Sequence, residues 1–282
     1  MKKLYSILSS LLFVGFAANA ELSTADSGYS QDFIDLVELL YGEGYLSQGG
    51  DKSVDYMLKG MDLSNKKVLD VGSGIGGIDI YLATKYKVNV AGVDIESAVV
   101  DMAKKKAVAA KDTLKGSVEF YLEKEGDNLK QFADESFDVV FSKETLLHIP
   151  VVEKVTYLKE IYRVLKKGGK LVVMDWMHTS PNYSKELKDM IELDGIAYNL
   201  ITDKEYLNNL KEAGFKDINF EDTSVTTVQL SKGDCDTIKS KKAEIEKRFG
   251  LETYEESLSS WTAQYNIFKN NELQTGIFTA SK

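Results

Sequence analysis

Apolar positions along the chain keep two rhythms. Phe33, Leu36, Val37, Leu39 and Leu40 recur at helical spacing, and a second helix is expected over 52–61, beyond the loop YGEGYLSQGG. From Lys66 onward, short apolar runs alternate with amphipathic stretches. KKVLDVG reads as a strand, GIDIYLATKY as a helix, VNVAGVDI as a strand and SAVVDMAKKKAVAA as a helix. SVEFYLE and FDVVFSKE are strands, VEKVTYLKEIYRVLKKGG is a helix stopped by its glycine pair, and KLVVMDW is the strand after it. Strands and helices that alternate in this way predict a parallel sheet covered on both faces.

After Trp176 the rhythm breaks. Residues 179–200 are polar and loosely helical around Pro181 and are expected to form a small cap. DKEYLNNLKEAGF reads as a helix, and KDINFEDTSVTTVQL as one long strand or a pair. A charged helix from Asp234 to Arg248 and another near Tyr254–Asn270 precede a last strand, LQTGIFTAS. Late strands of this kind add an antiparallel member at the sheet edge. The expected fold class is α/β: a doubly wound, mostly parallel, seven-stranded sheet with an N-terminal helical lid over 21–65. The main domain then runs over 66–282, with the cap inside it.

Composition narrows the field. The 282 residues are 43% hydrophobic, enough for one domain with a substantial core. The formal net charge of −9 gives no general attraction for phosphate backbones, so nucleic acid is not an expected partner. The N-terminus joins Lys2 and Lys3 to an apolar-rich run over 4–17 and to Ala18-Asn19-Ala20, the pattern of an export signal spanning 1–20. That run is shorter than the ~20 residues a bilayer span needs. Cleavage would place the protein in the periplasm or outside the cell, and an intact leader would tether it to a membrane. Cys235 stands alone, so no internal disulfide forms, and no metal-ligand set is apparent.

The chemistry begins at Gly72-Ser73-Gly74 and Gly77, a glycine turn between a buried strand and a helix. Such a turn suits a phosphate cradle, a dinucleotide or plain tight packing. Asp70, just before it, would repel a pyrophosphate and suit a cationic ligand. Asp94, at the end of the next strand, can accept both hydroxyls of a ribose. A protonated amine has no lone pair, so an amine acceptor needs a base. Histidine has the appropriate pKa, and the chain offers His148 and His178.

Taken in order, VLDVGSGIGG, VAGVDI, FDVVFSKETLLHI and LKKGGKLVV resemble the class I S-adenosylmethionine-dependent methyltransferases across residues 66–175. The resemblance implies a Rossmann-like methyltransferase fold with S-adenosyl-L-methionine as cofactor. It further implies that Gly72, Ser73 and Gly74 meet the methionine part, that Asp94 and Ile95 lie at the ribose, and that Asp127, or Gly126 by register, lies near the adenine amine. GYSQDFIDLVELLYGEGYLSQGG and the closing TGIFTASK are similar to the phosphoethanolamine N-methyltransferases. That likeness implies a pair, Tyr29 and His148, over the substrate amine. It places Leu46 and Ser47 as lid contacts to the cofactor, Lys143 where a cofactor-side arginine sits, and Glu144 where an aspartate lies near the amine. Trp176 and Tyr198 are candidates to face a cationic product, or else core fillers.

The resemblance fails at the phosphate. The family's arginine position falls on Ile196, its lysine position on Gln264 and a tyrosine position on Glu192, with Lys185, Lys188 and Arg248 as the available substitutes. The expected partner is therefore a small-molecule amine lacking phosphate, acted on by a monomer. The competing expectation is an exported, non-enzymatic protein of the same fold that binds the cofactor or a small ligand.

Overall fold

The computed structural model describes residues 29–124, 126 and 128–282. Seven strands form one sheet in the order β3-β2-β1-β4-β5-β7-β6. They are β1 (Lys67–Val71), β2 (Asn89–Asp94), β3 (Ser117–Leu122), β4 (Phe137–Lys143), β5 (Leu165–His178), β6 (Lys216–Asp222) and β7 (Leu273–Ser281). Strands β1 to β5 pair in parallel, and β7 runs antiparallel between β5 and β6. The central strands are continuous apolar runs: Val68, Leu69 and Val71 on β1 and Val139, Val140 and Phe141 on β4 are buried. Covering both faces of a sheet demands that pattern.

Helices supply the cover. Before the sheet come α1 (Gln31–Tyr41) and α2 (Gly50–Met57), and between strands come α3 (Gly77–Lys85), α4 (Ser97–Ala110) and α5 (Lys154–Val164). After β5 come α6 (Lys185–Asp194) and α7 (Asp203–Ala213), and between β6 and β7 lie α8 (Ser224–Ser240), α9 (Lys242–Phe249) and α10 (Leu251–Lys269). Helix α7 is fixed at both ends by local chemistry. Thr202 and Glu205 form a reciprocal capping box, and Gly214 closes the helix at φ 102°. One core lies between the sheet and α5 and α7, around Leu69, Val140, Ile161 and Phe278. The other lies between the sheet and α2 and α3, around Val54, Leu82 and Phe141.

Three expectations need correction. The stretch KDINFEDTSVTTVQL is extended only as far as Asp222, and from Ser224 it is helical. The Asp222 carboxylate accepts the Ser224 amide at 2.8 Å and turns the chain. Thr223 and Thr227 then place their hydroxyls 3.0 and 2.6 Å from that of Thr275 on β7, a buried contact that overrides the strand preference of Val and Thr. The charged stretch 234–248 is two helices meeting at Lys241. Helix α5 stops at Val164 instead of running to the glycine pair, and Leu165 already pairs with Phe137 of β4.

Strand order reverses beside β1, whose neighbours are β2 and β4. In doubly wound sheets a crevice opens there, at the carboxyl ends of the strands. Asp70, Asp94 and Lys143 occupy those ends. Among the described residues no helix is long and apolar enough to cross a membrane.

Candidate active site

A cavity of about 2040 Å³ opens at this point, roofed by α1, α6 and α10. Its floor is the turn from β1 into α3. Gly72 and Gly74 have φ of 79° and 54°, the left-handed region that side chains resist. Gly72 has no room for one, since its Cβ would lie 2.0 Å from the Thr145 hydroxyl, and at Gly74 the fit is tight, 3.2 Å from the Leu46 side chain. The turn therefore presents bare backbone to the cavity. Asp94 braces it, since one carboxylate oxygen accepts the Gly74 amide at 2.9 Å and the other the Glu96 amide at 3.0 Å. Each oxygen keeps a lone pair for a ligand. Ile95, 65% exposed, supplies a flat apolar wall beside it, and Gly126 lines the same end. Asp127 lies outside the described residues.

Asp70 sits elsewhere than its position in the motif suggests. It is 1% exposed and lies behind the loop, off the cavity wall, facing the fully buried Asp79 of α3. Burial pushes Asp70 up to about 7 and raises Asp79 well above the usual carboxylate range, the Asp70 charge adding to the latter. Two acids in one apolar site do not both ionise at neutral pH.

The loop between α1 and α2 packs on the turn. Its Gly44 carbonyl accepts the Gly77 amide at 3.1 Å. Lys143, 6% exposed at the end of β4, donates to the Ser47 hydroxyl at 2.6 Å and the Gln48 carbonyl at 3.0 Å, and pairs with Glu144 at 3.3 Å. Glu144 itself is held at φ 53°, a strained conformation for a non-glycine residue and one that clusters at functional sites.

The far end of the cavity holds the base candidate. His148 sits on a short 3-10 turn after β4, with Nδ1 2.9 Å from the Ala197 carbonyl. A carbonyl can only accept, so Nδ1 carries the proton and Nε2 keeps its lone pair. Burial holds the imidazole below its ordinary pKa, which leaves it neutral at pH 7. Tyr198 packs edge-on to the His148 ring at 5.3 Å and stacks on Trp176 at 6.0 Å, and its hydroxyl donates to Asp194 at 2.6 Å. The Trp176 indole nitrogen has no hydrogen-bond partner among the described residues. Tyr29 packs with Leu46, lies within electrostatic reach of Asp194 and Tyr198, and stays protonated, because burial and the nearby Asp94 charge raise its pKa. His178 lies off this wall, packed on Tyr183 at 5.9 Å.

The cavity also takes in the three positions at which the family resemblance expects a phosphate clamp. Ile196, Gln264 and Glu192 all line it. Of the candidate replacement cations, Lys185 lines the cavity but is held by Asp189 at 2.5 Å, and Arg248 faces Asp35 at 3.2 Å away from it. Glu123 went unnoticed in the sequence. It is the first acid after β3 and lines the cavity, accepting the Leu129 amide at 2.6 Å and the Tyr157 hydroxyl at 2.8 Å. Its place directly behind a strand end, shared with Asp94, was the available signal.

A seven-stranded sheet with an antiparallel β7, a glycine turn after β1 and an acid after β2 defines the class I methyltransferase fold. Residues 62–214 match the family model described as a methyltransferase domain, and the chain belongs to that family, close to the phosphoethanolamine N-methyltransferases. Phosphoethanolamine N-methyltransferase 1 of Arabidopsis thaliana is 32% identical over 246 residues, covering 87% of this chain and 48% of the relative. The chain thus spans about half the length of that relative. The enzyme of the same name from Plasmodium falciparum is 28% identical and covered over 93% of its length, against 90% of this chain. In structure, the Haemonchus contortus phosphoethanolamine N-methyltransferase 2, solved with phosphomonomethylethanolamine and S-adenosylhomocysteine, superposes with a TM-score of 0.80 at 24% identity. That match covers 90% of this chain and 58% of the other.

Proposed function

We propose that the chain is an S-adenosylmethionine-dependent methyltransferase whose acceptor is a small amine without a phosphate group. The observation that carries this reading is the make-up of the acceptor end of the cavity, where His148, Glu144, Trp176 and Tyr198 meet, Ile196, Glu192 and Gln264 line the wall, and the lining Lys185 pairs with Asp189.

The cofactor end fits the cofactor. Gly72 and Gly74 offer bare backbone in a left-handed turn, Asp94 keeps lone pairs for vicinal hydroxyls, and Ile95 can lie against a flat base. When bound, S-adenosylmethionine supplies a methyl carbon made electrophilic by its sulfonium. Lys143 ties Ser47 and Gln48 down over that end and excludes water. At the other end, His148 takes the acceptor's proton at Nε2 while Nδ1 stays on Ala197. Such a base contributes about 10²–10⁴ in rate. Positioning contributes more, about 7–11 kcal/mol. The methylated product is cationic, and the Trp176–Tyr198 stack with Glu144 and Asp194 gives it an aromatic and acidic wall, each cation–π contact being worth about 0.5–2 kcal/mol.

The relatives' phosphate is the point of departure. A dianion needs charge-assisted donors. Ile196 and Gln264 offer no charge, and Glu192 repels. Incubation with methyl-labelled cofactor and a panel of amines, phosphoamines, hydroxyls and thiols tests the reading. Label is expected on a phosphate-free amine, and preferential turnover of phosphoethanolamine would refute it.

The leader motivates a second reading, an exported binder of the same fold that has lost catalysis. Calorimetry with S-adenosylmethionine, followed by the labelled panel, separates the two, since a binder takes up the cofactor and labels nothing. Nicotinamide dinucleotide uptake in place of the sulfonium would sink both. A mature chain beginning at Glu21, measured by mass in the exported fraction, is the outcome expected of a cleaved signal.

A further inference from the structure

The turn that carries His148 is gripped from outside through consecutive carbonyls. Lys154 reaches back from the start of α5 and donates from Nζ to the Leu146 carbonyl at 2.5 Å. The Asn199 amide donates to the Leu147 carbonyl at 2.8 Å, and the Asn199 side-chain nitrogen to the His148 carbonyl at 2.8 Å. A turn of three residues cannot hold its own geometry, since its internal bonds are only His148 to Thr145 at 2.9 Å and Ile149 to Leu146 at 3.2 Å.

Lys154 is unusual in its setting. It is 5% exposed, and its charge is answered across the core by Asp175, which is fully buried. Asp175 is fixed in turn by the Trp176 amide at 3.1 Å and the Tyr206 hydroxyl at 3.3 Å. A buried ammonium is costly, and α5 could end its apolar face with a leucine at no such cost. Here the ammonium bonds the turn of His148 within the field of Asp175, on the strand that bears Trp176. Asn199 belongs to the same segment as Ala197 and Tyr198, so one short stretch of chain holds the ring nitrogen, one ring edge and two carbonyls of the turn.

We infer that Lys154 and Asn199 are positioning residues that fix the His148 imidazole in its Nδ1–H form with Nε2 turned to the cavity. The inference rests on the proposed role of His148, and its test does not depend on knowing the acceptor. With only two histidines in the chain, long-range proton–nitrogen spectra of ¹⁵N-histidine protein resolve both rings, and His178→Gln assigns them. Unsubstituted protein should show His148 as a single Nδ1–H tautomer. Lys154→Met and Asn199→Ala should each yield a mixture of tautomers, while cofactor affinity by calorimetry stays unchanged. On the acceptor found in the labelled panel, kcat should fall by about 10- to 100-fold, the scale of a small misplacement. Lys154→Arg, which keeps a donor and the charge, should restore the tautomer in part. Asn199→Ala leaves the buried charge pair intact and serves if Lys154→Met does not fold. A single unshifted tautomer in the folded variants overturns the inference whatever the assays show. Unsubstituted protein that holds its tautomer yet methylates nothing overturns the proposed function and leaves the positioning intact.

Discussion

His148 divides its ring between two tasks: Nδ1 anchors it to Ala197, and Nε2 is left for the acceptor. His148→Ala should therefore lower kcat by about 10²–10⁴ while leaving cofactor binding in place, as single-turnover labelling and calorimetry would show. Asp94→Ala should do the opposite. It removes the acceptor for the Gly74 and Glu96 amides as well as for a ribose, and cofactor affinity should fall by roughly 10- to 100-fold, a loss of about 1.5–3 kcal/mol. At this scale the sequence was informative wherever a residue type has few alternative uses. A glycine turn with an acid at the next strand end, and a histidine after β4, all reached the cavity wall. Asp70 shows the limit. Its place in the motif is visible in the sequence, but that its side chain turns back toward Asp79 depends on the direction in which α3 packs. Glu123 shows the reverse: like Asp94 it stands at the end of a strand, directly after β3, and that place alone marked it.

Among the elements, the loop between α1 and α2 depends most on a single side chain. Lys143 holds the loop through Ser47 and Gln48, and the loop backbone rests on Gly77 through Gly44. Lys143→Met should loosen that loop, raise KM for the cofactor and quicken its exchange in stopped-flow measurements, with circular dichroism unchanged. The sheet and its helices were legible because their periods are distinct and their strands are buried on both faces. Helix α8 was not. Val225, Thr226, Thr227 and Val228 prefer strands locally, and contacts distant in the chain, the buried hydroxyls at Thr275 and the packing of Val228 beside Ile267 and Phe268, favour the helix. The cap likewise could be placed but not threaded in detail. Glu192 and Gln264 reach the cavity wall because α6 and α10 border the same opening, and Ile196 follows just after α6.

Across the whole molecule, buried acids set the response to pH. Burial pushes Asp70, Asp175 and Asp234 up to about 7 and raises Asp79 well above the usual carboxylate range. A carboxyl whose folded pKa lies above its unfolded one holds a proton that favours the fold. That stability is complete below the unfolded value near 4 and is lost as pH rises through the folded value. His148, lowered by burial, opposes this only below about pH 6.5, and Lys154, lowered to about 8, acts only above its folded value. The Tm of the ligand-free protein should fall between about pH 5 and about pH 8, a trend that Asp79→Asn should flatten. The acceptor end carries the same acidic bias. Ile196→Arg combined with Gln264→Lys should restore a grip on phosphate and shift preference toward phosphorylated amines. The most direct test sets each amine of a panel against its own phosphate ester in one reaction with labelled cofactor. The account predicts label on the free amine, abolished by His148→Ala; label confined to the phosphate ester would contradict it.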